Sequence, residues 1–107
     1  MKKVKLLAAL TLAYTSIPIV SATELSEVSN EQLVLCANVS GVNGASITSR
    51  TAFRNYLVTK RNYQYSNLVE LEREYLSGMT EGQQEQARKA YQEQCQETGR
   101  QLYFKGF

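Results

Sequence analysis

A chain of 107 residues with two cysteines and no histidine has room for one domain. It also lacks aspartate, which excludes Ser-His-Asp and Cys-His nucleophile systems, and neither a histidine-based nor a Cys₄ zinc site can be assembled. Lys2, Lys3 and Lys5 supply three of its twelve cations, so without them nine face ten glutamates and the net charge turns from +2 to −1, which removes the case for nucleic-acid binding.

The chain opens on a short basic stretch, Met1-Lys2-Lys3-Val4-Lys5. An uncharged run follows from Leu6 to Ala22, with Pro18 near its end and Val20-Ser21-Ala22 closing it. Thr23-Glu24 then begins a polar sequence. This order predicts a secretory signal of bacterial style over 1–22, removed on export, and a single mature domain over 23–107. A retained anchor is the alternative. A spanning helix wants about 20 predominantly apolar residues, whereas Thr11, Thr15, Ser16 and Pro18 interrupt this run. No cysteine stands at the junction to carry a lipid. The expected location is the periplasm, with secretion the alternative.

Cys36 and Cys95 both lie in the mature part. An even pair in an exported chain predicts one intrachain disulfide. Closing so long a loop contributes about 4 kcal/mol in the chain-entropy model, a large share for a domain this small. The pair is not a C-x-x-C motif, so thioredoxin-type redox chemistry is not expected.

After Pro18 there is no proline, and the composition favours helix. Ser29 with Gln32 three residues on reads as a capping box, and Val28 with Leu33 as a staple. The first helix should end at Asn38-Val39-Ser40-Gly41, before a loop to Gly44. Ser46 or Thr48 begins the second helix, whose stripe is Ala52, Phe53, Tyr56 and Leu57. The pattern weakens over Asn62-Tyr63-Gln64-Tyr65-Ser66-Asn67, with Ser66 or Asn67 as the cap of a third helix; one helix over about 47–76 is the rival. Leu68, Leu71, Tyr75, Leu76 and Met79 give the third helix an amphipathic face. Ser77-Gly78 closes it, and Thr80 with Gln83 starts the last. Glu85 and Lys89 form an i, i+4 pair, and Gly99 reads as the residue after the helix end, although Thr98 and Leu102 continue the spacing. The expected fold is all-α, a bundle of three or four helices with one disulfide joining the first and last.

No P-loop or dinucleotide fingerprint is present, and Gly41-Val42-Asn43-Gly44 does not substitute for one. Glu70 and Glu74 share a face, but the run through Glu72 and Arg73 reads as solvated helix surface rather than an acid–base pair. No catalytic residue and no cofactor is expected. The polarised segment is 47–66, where Arg50, Arg54, Lys60 and Arg61 meet no acid and are interleaved with aromatics. Arg50, Arg54, Tyr56, Lys60, Arg61, Tyr63 and Tyr65 are therefore the candidate binding residues. The bland alternative places Phe53 and Tyr56 in the core and turns the cations to solvent or to the molecule's own glutamates. The end, Leu102-Tyr103-Phe104-Lys105-Gly106-Phe107, either folds back over the disulfide or stays as a sticky patch. The expected role is non-catalytic binding in the cell envelope, as an inhibitor or accessory subunit whose partner is another envelope protein. A stress or chaperone-like protein is one alternative, and a peripheral binder of anionic envelope surface is another.

Overall fold

The computed structural model describes residues 24–107. The expected signal over 1–22 lies outside the described residues. A short 3₁₀ turn, Leu25–Glu27, leads into α1 (Asn30–Ser40), α2 (Ile47–Lys60), α3 (Tyr65–Leu76), α4 (Glu81–Ala90) and α5 (Gln96–Phe104). A π-helical turn, Tyr91–Cys95, joins α4 to α5 so that the two run on as one helix. No strand occurs among the described residues. The fold is an all-α bundle, and the Cys36–Cys95 disulfide ties its first helix to its last across a separation of 59 residues.

The helix starts follow from side chains that satisfy orphan amides. Ser29 Oγ accepts from the Gln32 amide at 3.1 Å. Ser46 Oγ does the same for Ser49 at 3.1 Å. Thr80 and Gln83 complete a reciprocal box, with Thr80 N–H donating to Gln83 Oε1 at 2.9 Å. Gln32 makes no such return bond. Its amide group reaches instead across to the Gln94 carbonyl at 3.4 Å, beside the disulfide. The π turn contributes there: Gln96 N–H bonds Tyr91 O, a wider loop than the α pattern.

The 47–76 stretch is two helices. Asn62 ends α2 in the left-handed region (φ 64°), a conformation Asn tolerates better than most residues. The cap of α3 is Gln64, without a side-chain bond, rather than Ser66 or Asn67, which sit inside the first turn.

Leu33 and Val39 of α1, Phe53 and Leu57 of α2, Leu68 of α3, and Ala87, Tyr91 and Leu102 of the last helix form the core around the disulfide. Each fully buried large side chain contributes about 1.5–3 kcal/mol. α2 is central, lying against both α1 and α5. Its contact with α5 is close because Gly99 is not a terminator but a buried residue inside α5: a Cβ there would come within 2.8 Å of Ser49 Oγ and 3.2 Å of Phe53 Cε2. Beside it the buried Tyr91 hydroxyl donates to Ser49 Oγ at 2.5 Å.

The actual end of α5 is a Schellman turn. Gly106 takes a positive φ of 96°, and the amides of Phe107 and Gly106 bond the carbonyls of Leu102 (3.0 Å) and Tyr103 (3.1 Å).

Candidate functional site

The interleaved cations and aromatics of 47–66 do not form one surface. Successive turns of α2 send them to three places. Arg50 and Arg54, one turn apart, converge on Glu72 of α3, at 3.2 Å and 2.6 Å. Glu72 is 5% exposed, so it is no part of a solvated surface. Both its oxygens are occupied, one by each guanidinium. The carboxylate lies over Gly41, the C-cap of α1, where any Cβ would collide with it. Arg54 also donates to the Tyr65 hydroxyl at 3.2 Å, with its guanidinium 5.4 Å from that ring's centroid. This cluster ties three helices together and spends the charge of two expected binding residues inside the molecule.

Arg61 is used structurally as well. It donates to Asn30 Oδ1 (2.6 Å) and to the Leu25 carbonyl (2.9 Å), fixing the entry segment to the end of α2, and it lies 5.3 Å over the Tyr56 ring. Tyr56 is buried, and Tyr63 is partly buried against the core.

Lys60 is the member of the basic group that remains exposed and without an ion pair among the described residues. It lines an open groove of about 900 Å³ between the end of α2, the entry segment and α5. Tyr56, Phe104 and Phe107 supply its aromatic surface, and Lys60, Arg100 and Lys105 its cations. The tail divides its aromatics between the two roles open to it. Leu102 is fully buried, and Phe107 turns back to meet Tyr56 edge-on at 5.1 Å while its main-chain oxygen accepts from Asn55 Nδ2 at 2.6 Å. Tyr103 and Phe104 face solvent, 55% and 77% exposed. Folding back therefore covers the Tyr56 side of the core and leaves these two rings out.

Glu72, Gly41 and Arg100 are the residues that sequence reasoning did not assign to a site, whereas Phe104 and Lys105 belonged to the tail it offered as a sticky patch. For Glu72 the available signal was its offset from the Glu70/Glu74 face. For the tail it was the helical spacing through Leu102, which sets Leu102 inward.

Two side chains elsewhere titrate abnormally. The Glu85 carboxyl is held below its ordinary range, first by the hydrogen bond from Arg88 (2.7 Å) and then by the charge of that guanidinium. Its ion pair is thus to Arg88 at i+3, with Lys89 acting only through its field. Burial pushes the Tyr75 phenol up. Tyr75 lines a second groove, of about 480 Å³, with Leu35, Val39 and Met79. Among the described residues no cluster of three or more His, Cys, Asp or Glu could hold a metal ion, and no helix is long and apolar enough to cross a membrane.

Fold and site together define a disulfide-closed helical bundle with an aromatic and cationic groove at one end. No protein-family model matches the chain, and no curated protein or solved structure matches it either.

Proposed function

We propose that the protein is exported and acts in the cell envelope by binding rather than by chemistry, through the groove between α2 and α5. The observation that carries this reading is the exposed Phe104, set on a fixed helix end among three cations. A large apolar ring held in water by a rigid scaffold is how contact surfaces present their anchors. The export half is supported by the Cys36–Cys95 bond, because such bonds persist in oxidising compartments. Glu72, the one buried glutamate among the described residues, has both oxygens occupied by arginines and is not offered to a substrate.

Site-specific photo-cross-linking in intact cells tests it. A cross-linking residue in place of Phe104 is expected to form adducts with an envelope component, while one in place of Glu74, exposed on α3, forms none. Mass spectrometry of the same material should find the amino terminus at Thr23. No adduct from position 104, or an intact Met1, would remove the corresponding half of the reading.

A further inference from the structure

We infer that α3 is a hinged lid: it leaves the bundle as a unit while the other helices stay folded, and its departure uncovers Arg50 and Arg54. The inference stands apart from the groove between α2 and α5 and survives if that groove binds nothing.

The way the bundle is fastened singles out α3. The disulfide joins α1 to the last helix, and α2 lies against both α1 and α5. α3 is outside that set. It packs on α1 and, to a lesser extent, on α2, and it has at most a marginal contact with α4, its neighbour in sequence. Of its twelve residues only Leu68 and Glu72 are buried. Leu71 stays 40% exposed, and Tyr75 borders the open groove toward α1 and α4. Apolar burial therefore holds α3 far less firmly than it holds α1 or α2.

The ion cluster does not make up the difference. The attraction within a buried ion pair is largely offset by the water its charges have lost. Here the compensation is incomplete, because Nε of Arg50 and of Arg54 is enclosed without an acceptor among the described residues. Those donors regain water when α3 leaves. Removing the Glu72 carboxylate alone strands two cations, whereas opening hydrates all three charges together. A cluster that tolerates no single loss thus opposes opening only weakly. While α3 is closed, Glu72 acts as an internal counter-ion that masks two of the cations in the basic segment.

The chain is also built to turn at both ends of the lid. Asn62 before α3 and Gly78 after it have positive φ, 64° and 72°. A Cβ at Gly78 would meet nothing within 4 Å, so that side is open. A few such positions absorb the change of direction in a hinged motion. Once detached, a helix of twelve residues is too short to persist alone in water, so its amides lose their protection.

Hydrogen exchange read by mass spectrometry tests the inference on the purified, disulfide-bonded protein, at rising urea below the unfolding midpoint. Amides of α3 should exchange about a hundred-fold or more faster than those of α1 and α2. Their rate should stay nearly flat with urea, because a local opening exposes little surface. The Arg54 side chain is only 11% exposed when α3 is closed. An arginine-specific dicarbonyl reagent should therefore modify it in step with α3 exchange, while the α2 amides remain protected. If α3 and α2 exchange together with one urea dependence, α3 opens only on global unfolding and the inference is overturned. If α3 exchanges early but Arg54 reacts only when α2 exchanges, the helix frays in place, and the lid is equally refuted.

Discussion

Glu72 shows how one side chain can set the geometry of three helices. A carboxylate taken out of water is unfavourable unless its lone pairs are filled, and Arg50 and Arg54 fill them from adjacent turns of α2. The approach needs Gly41, whose missing Cβ leaves the space the carboxylate occupies. Glu72→Gln leaves two guanidiniums without their counter-charge. Arg54 is the more buried of the two, and the expected loss is about 3 kcal/mol in urea unfolding. Gly41→Ala should cost about 2 kcal/mol by forcing the carboxylate off its partners. In a Glu72→Ala background the same Gly41→Ala change should cost almost nothing, because the obstacle is gone. Additive losses in that double-mutant cycle would mean that the glycine serves something other than the carboxylate. The sequence allowed for cations turned to the molecule's own glutamates, but it did not single out Glu72 or Gly41. Glu70-Leu71-Glu72-Arg73-Glu74 has the composition of a solvated face, and the partners of its middle glutamate lie on another helix. By contrast the caps at Ser29, Ser46 and Thr80 were legible, because their chemistry is complete within four residues.

At the scale of elements, the break between α2 and α3 was readable from Asn62 to Asn67, where apolar spacing lapses and polar residues that tolerate turns accumulate. The end of the last helix was not. Gly99 has the look of a terminator, and only the long-range approach of Ser49 and Phe53 shows it to be a packing residue. Two glycine substitutions separate these meanings. Ala is the better helix former by about 1 kcal/mol, so propensity alone predicts that Gly99→Ala stabilises. Packing predicts the reverse: the new methyl would push α5 off α2 and give a net loss of about 1–3 kcal/mol. Gly82, in the first turn of α4, is the control, since its nearest neighbour would be Thr80 Oγ1 at 3.9 Å. Gly82→Ala should raise stability by about 0.5 kcal/mol. Urea midpoints of the two variants should move in opposite directions, and a Gly99→Ala protein more stable than its parent would refute the close contact.

For the whole molecule, the two distant sulfurs and the helical periodicity were enough to anticipate the bundle and its closure. The groove was not anticipated as a unit, because it assembles from the entry segment, α2 and α5, and because α2 spreads its cations over three directions that a linear charge count merges into one. The disulfide sets how stable this assembly is. Cys36 and Cys95 are 5.4 Å apart at Cα and fully enclosed by the core. A domain of this size gains only about 3–5 kcal/mol net from its apolar core, and cross-linking so long a loop contributes about 4 kcal/mol. Those two magnitudes are comparable, so the bond supplies about half of the molecule's stability. Reduction, or the Cys36→Ala/Cys95→Ala pair, should lower the thermal midpoint by about 20 °C, followed by circular dichroism with and without a phosphine reductant. The helices meet at Ser49–Tyr91 and Gly99 independently of the sulfurs, so the loss should be one of stability and not of fold: at low temperature the reduced protein should keep its helical signal. A midpoint lowered by only a few degrees would show that the core is sufficient by itself, and the physical case for an oxidising compartment would lose its force.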